Sequence, residues 1–135
     1  MSEQNKAIAK RVFEGASQGK LEVLDELVAK EHIYHSDPNL SGPEGQRQLV
    51  TMFRTAFPDL HLTVEAQVAE GDMVVSRFTA RGTHNGDLMG IAPTGKQVTV
   101  SGISMMRMAG GKVAEEWEVV DEAGIMRQLG VIPGE

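Results

Sequence analysis

The chain has 135 residues, 41% of them hydrophobic and 24% charged, with a formal net charge of −6 and no cysteine. That length suits one domain over residues 1–135 with a core of its own. The absence of thiols excludes disulfides and thiolate metal sites, and an acidic balance with scattered Lys and Arg argues against nucleic acid or an anionic membrane as partner.

The N-terminal run MSEQNKAIAKRVFEG is polar and helical in pattern, without an apolar stretch for a leader or a membrane span, so a cytoplasmic location is expected. Residues 3–18 read as a helix with Ile8, Val12 and Ala16 on one stripe, and Gly19 stops it. A second helix over residues 21–30 carries Leu21, Leu24, Leu27 and Val28 on one face. The connection is very short, so the two helices are expected to lie antiparallel. EHIYH (31–35) reads as a short strand before the turn-rich SDPNLSGPEG. SGPE (41–44) opens a third helix, with Ser41 as cap, Pro43 in the first turn and Glu44 completing a capping box. Leu49, Met52, Phe53, Ala56 and Phe57 follow at helical spacing, and Pro58 ends the helix.

From residue 60 the period changes from helical to alternating. Strands are predicted over 60–72, 73–82, 97–108 and 112–121, with tight EGD and AGG turns that imply antiparallel pairing. The Gly- and Pro-punctuated segment 83–96 reads as a long ordered loop. Three helices followed by such a sheet make an α+β domain with helices on one face, and a sheet that curls around them leaves a cavity. The eight methionines suit an adaptable cavity lining, or equally a filled core.

The stretch EEWEVVDEAGIMRQLG (115–130) bears most directly on function. Along strand 112–121 the odd positions Val113, Trp117 and Val119 are apolar and the even ones mostly acidic, so the odd face is expected to look inward. Asp121 ends that face. Against apolar walls its carboxyl would be pushed toward useful acid–base values. Equally, Asp is a favoured N-cap, and Ile125, Met126 and Leu129 form the apolar face of a short helix starting near 122. The hairpin register stays open. A two-residue Gly110-Gly111 turn sets Ser104 opposite Trp117, whereas a three-residue loop with Gly111 as the bulge glycine sets Ile103 there, with Met105 and Arg107 on the same face. The second is preferred for the positive φ that Gly111 supplies, and it turns Arg107 inward to hold an oxyanion. His84, in the long loop, stands at the mouth of the expected cavity. Trp117, Met105, His84, Arg77, His35 and Phe53 make up the candidate substrate-contacting set. HIYH lacks a third ligand and reads as extended, so no metal is expected. There is no nucleophile elbow, phosphate loop or dinucleotide fingerprint, which leaves proton transfer by a carboxylate.

The ordered set FPDL (57–60), EGD (70–72), GTHNG (82–86), GIAPTGK (90–96), GGKVAEEW (110–117), Asp121 and QLG (128–130) resembles the SnoaL-like polyketide cyclases of the nuclear transport factor 2-like superfamily. The resemblance implies a cone-shaped α+β barrel: N-terminal helices on a curved antiparallel sheet, a short C-terminal helix and a deep apolar pocket. It also implies an acid–base Asp, matched by Asp121, that closes a ring by aldol condensation, with no metal or organic cofactor and common homo-oligomers, here a dimer. The cyclases support that Asp with a His on the neighbouring strand, and SMMRM (104–108) offers Arg107 instead. The first expectation is therefore a cofactor-free cyclase or isomerase acting on a small apolar carbonyl compound, with Asp121 moving the proton and Arg107 holding the oxyanion. The alternatives are a module that binds a small hydrophobic molecule unchanged, and a hydrolase or hydratase that uses Glu115 as a second inward carboxylate.

Overall fold

A computed structural model describes residues 2–131. Helix α1 (Ser2–Gln18) is followed by α2 (Leu21–Leu27), strand β1 (Val28–Tyr34), a 3-10 turn (Pro38–Leu40) and α3 (Gly42–Ala56). Strands β2 (His61–Glu70), β3 (Met73–Thr83), β4 (Gln97–Ala109) and β5 (Lys112–Val120) lead to α4 (Glu122–Leu129). The five strands form one sheet in the order β1-β5-β4-β3-β2. It is mixed rather than purely antiparallel, because β1 runs parallel to β5. The chain from β1 crosses back through α3, and such a crossover permits parallel pairing where a hairpin cannot. The expected second helix is correspondingly shorter: Val28, read as helical, already pairs with Val113 in the sheet.

Helices α1 and α2 cover the inner face of the sheet around Phe13, Leu24, Phe78 and Met106. A second cluster gathers Phe57, Leu88, Val98 and Leu129 beneath the β3–β4 loop and α4. Burying each such side chain contributes about 1.5–3 kcal/mol. The aromatic wall sits close to the strands because Gly102 has no side chain: a Cβ there would lie 2.4 Å from the Phe78 ring. No helix among the described residues is long and apolar enough to cross a membrane.

Two local details differ from the sequence reading. Ser41 does not cap α3 with its side chain; its Oγ instead accepts the Tyr34 backbone N–H at 2.8 Å, tying the helix start to the end of β1. The β4–β5 hairpin uses the two-residue turn, with Ala109 opposite Lys112 and both Gly110 (φ 59°) and Gly111 (φ 79°) left-handed. The register then shifts: Met108 pairs with Val113, but Arg107 pairs with Glu115. Ala114 is the extra residue of a bulge, and it inverts the side-chain phase of the rest of β5. Val113 faces inward, and beyond Ala114 it is the even positions that do.

Candidate functional site

Between α1, α3 and the inner face of the sheet lies a cavity of about 930 Å³ of atom-free space, including its open mouth. All four phenylalanines of the chain (13, 53, 57 and 78) line it. The polar side chains on its wall are those of Gln46, Arg81, Glu116 and Glu118. Both glutamates come from the even face of β5, which the bulge at Ala114 turns inward.

The two carboxyls belong to a buried polar cluster. Tyr34 Oη donates to Glu118 Oε1 at 2.7 Å, and Ser104 Oγ donates to Glu116 Oε2 at 3.4 Å. His32 is 2% exposed; its Nδ1 accepts the Gly42 backbone N–H at 2.9 Å, and its Nε2 stands 3.6 Å from Glu116 Oε1. Removal from water disfavours charge on each of these groups. Burial pushes the Glu116 carboxyl up to about 7. Burial, and then the neighbouring charge of Glu116, push Glu118 up to about 8. Burial, followed by the charge of His35, brings His32 down to about 4. His32 and Glu116 are thus both neutral between those values and do not form an ion pair. Burial and the Glu118 charge also raise the Tyr34 phenol. An apolar chamber with carboxyl groups that hold their protons near neutral pH can give and take a proton at a bound molecule.

The residues singled out from sequence are distributed differently. Phe53 lines the cavity. Trp117, Met105 and Arg107 do share one face, with Met105 opposite Trp117, but it is the outer face. There the Arg107 Nε–H donates to Glu115 Oε1 at 2.6 Å, and Glu115 Oε2 lies 2.7 Å from His35 Nε2. The His35 ring stacks on Trp117 with centroids 4.6 Å apart. His35 and then Arg107 hold the Glu115 carboxyl below its usual range. Glu115 is therefore a paired outer carboxylate, which removes the inward second carboxylate that the hydrolase reading placed there. His32 and His35 are three apart on extended chain and so look to opposite faces of the sheet. Arg77 is exposed and pairs across the sheet with Ile103, itself 52% exposed. His84 is fully buried rather than at an open mouth. Its Nδ1 accepts the Thr94 backbone N–H at 3.2 Å, and its ring packs on Phe57. Of the methionines, Met106 is the one on the cavity wall. Asp121 is exposed. It caps α4, with Oδ1 accepting the Gly124 N–H at 2.8 Å, and so fixes the helix whose Ile125 closes part of the cavity.

The sequence reading did not single out Glu116, Glu118 and Tyr34, and it took up His32 only as a possible metal ligand. A signal was present in β4, where Val98, Val100, Met106 and Met108 make the even face the apolar one; pairing that face with β5 through the bulge selects Glu116 and Glu118.

Other proteins share this frame. TsrD from Streptomyces laurentii superposes with a TM-score of 0.88 at 28% identity, covering 96% of each chain. The aklanonic acid methyl ester cyclase DauD of Streptomyces sp. (strain C5) is 28% identical over 128 residues, 91% of this chain and 80% of its own. The nogalonic acid methyl ester cyclase of Streptomyces nogalater is 31% identical over 91 residues, 67% of this chain and 68% of its own. The family described as SnoaL-like polyketide cyclase matches residues 6–129, from the first helix to the last. That match takes in all five strands of the sheet, and the chain belongs to the SnoaL-like polyketide cyclase family.

Proposed function

We propose that this protein is a cofactor-free acid–base enzyme that closes a ring by an aldol-type step, or isomerises, an apolar carbonyl compound held in the cavity. The observation that carries this reading is the pair Glu116 and Glu118, two carboxyls kept protonated toward neutral pH on the wall of a chamber lined by four phenylalanines. The relatives named as cyclases of aklanonic acid and nogalonic acid methyl esters support a ring closure. One carboxylate removes the proton beside a carbonyl, the resulting enolate carbon bonds to a second carbonyl carbon of the same molecule, and the partner carboxyl protonates the new alkoxide. The two groups titrate as a unit, so the pair supplies both the base and the acid.

The first half of this reaction can be read without the natural substrate. Aromatic and alicyclic ketones incubated with the protein in D2O should exchange their α-hydrogens, followed by NMR. Glu116→Gln keeps the Ser104 contact but cannot carry the proton, and it should slow exchange about 100-fold or more. Asp121→Asn keeps an efficient cap and should leave exchange within about twofold. Abolition of exchange in Asp121→Asn with normal rates in Glu116→Gln would move the proton transfer to Asp121 and overturn this assignment. Tight binding of ketones with no exchange in the unaltered protein would make it a ligand-binding module.

A further inference from the structure

We infer that His32 is a positioning residue that divides the labour of the carboxyl pair, holding Glu116 as the base and leaving Glu118 as the acid. This inference rests on the acid–base reading above. The Gly42 backbone N–H can only donate, and it points at His32 Nδ1 from 2.9 Å. Nδ1 is therefore the acceptor nitrogen of the ring, and a neutral imidazole then carries its one hydrogen on Nε2. That Nε2 is fully buried and has no hydrogen-bond partner among the described residues. The oxygen it faces is Glu116 Oε1, at 3.6 Å, just beyond bonding distance.

The 3.6 Å gap is informative. While Glu116 is protonated, the contact is a weak one between neutral groups. Once Glu116 has lost its proton, its oxygen becomes a strong acceptor, and the Nε2–H is the group aimed at it from β1. Ser104 Oγ on β4 donates to the other oxygen. Two fixed donors thus favour the charged form of Glu116 over that of Glu118. Glu118 has one side-chain donor, the Tyr34 hydroxyl, against the two that face Glu116, and its second carboxyl oxygen is left for a ligand. A charge on Glu116 then holds the proton on Glu118 by repulsion. Among the described residues no cation offsets this locally: the groups around Glu116 are His32 and Tyr34 of β1, Ser104 of β4 and Glu118 of its own strand, while α3 contributes the neutral Gln46. Arg81 of β3 lines the same cavity but is exposed. His35, whose charge bears on His32, is engaged outside by Glu115. An imidazole that stays neutral is what such a role needs, because an imidazolium would hold the Glu116 carboxylate too tightly for it to take up a proton.

The substitution His32→Asn keeps an acceptor for the Gly42 N–H but removes the donor aimed at Glu116. Carboxyl carbon shifts followed through a pH titration should show the Glu116 midpoint raised by about one unit in this variant, with α-proton exchange slowed about tenfold, KM nearly unchanged and the exchange profile displaced to higher pH. His32→Gln, whose amide reaches further, should recover part of the lost rate. A purely structural histidine would alter stability but not the Glu116 midpoint, so an unchanged midpoint overturns the inference. If the Asn variant does not fold, imidazole nitrogen shifts of the unaltered protein decide. The Nε2–H tautomer is expected from pH 5 to pH 8 by about one or more units of margin over the buried ring's own ionisation; an Nδ1–H tautomer, or an imidazolium at pH 6, overturns it. Failure of every ketone to exchange, with the Glu116 midpoint still displaced in the variant, would instead sink the enzymatic reading and leave the contact standing.

Discussion

Two carboxylates one residue apart on β5 show how far a single step along a strand changes chemistry. Glu115 lies on the outer face between His35 and Arg107, and those partners hold its proton affinity down. Glu116 lies on the inner face against His32 and Ser104, and loss of water drives its proton affinity up. The side-chain type is the same, and the backbone between them is ordinary strand. What differs is the face, and the face was set by one extra residue, Ala114. A charged outer cluster stabilises by pairing and is worth little where water competes. An inner carboxyl pair costs stability and is retained at candidate sites of proton transfer.

One way to sharpen this comparison is to remove the bulge. Val113 and Glu115 already oppose the consecutive residues Met108 and Arg107, so deleting Ala114 would leave Glu116 inside and Glu115 and Trp117 outside. The expected result is a folded protein that keeps its α-proton exchange and loses about 1 kcal/mol, read as a small fall in the melting midpoint. Loss of exchange in a folded variant would mean that the rest of β5 slides in register when the bulge is gone. The effect on chemistry is larger. The exchange lost in Glu116→Gln should persist within about twofold in Glu115→Gln, since the outer carboxylate does not reach the cavity; equal loss in both would erase the distinction between the faces.

Stability against pH sharpens the comparison further. A group whose folded value is raised, as with Glu116 and Glu118, favours folding while protonated, and that contribution is lost as pH rises from about 4.5 toward about 7 and 8. His32, with its folded value lowered from 6.5 to about 4, acts in the opposite sense: stability is lost as pH falls through that window. Glu116→Gln removes one inner group that must shed its proton. It should stabilise the protein at pH 9 by on the order of 2 kcal/mol and much less at pH 4.5, measured by urea denaturation at each pH. Glu115→Gln should do the reverse, with a small loss near neutral pH that disappears in acid. The smallest effect concerns the end of the strand. Asp121→Ala should cost about 1 kcal/mol by leaving the Gly124 N–H without its cap, and Asp121→Asn only a few tenths; an Asn variant as unstable as the Ala one would show that the charge rather than the cap holds α4.

The α1 stripe, the third helix with Phe53 and Phe57, the four late strands, the ordered 83–96 loop and the capped last helix were all legible in the sequence, because period and turn chemistry are local properties. The co-location of Trp117, Met105 and Arg107 was legible too, since residues of one parity on paired strands share a face. Which face that was could not be read locally. Glu116 and Glu118 on a strand suggest solvent, because buried carboxylates are uncommon, and a bulge at Ala114 has no signature of its own in the string AEEWE. Only the assembled sheet decided it: β4 buries Val98, Val100 and Met106 against the helices, and β5 pairs with that strand by taking up an extra residue, which carries the two glutamates into the cavity and leaves Trp117 outside.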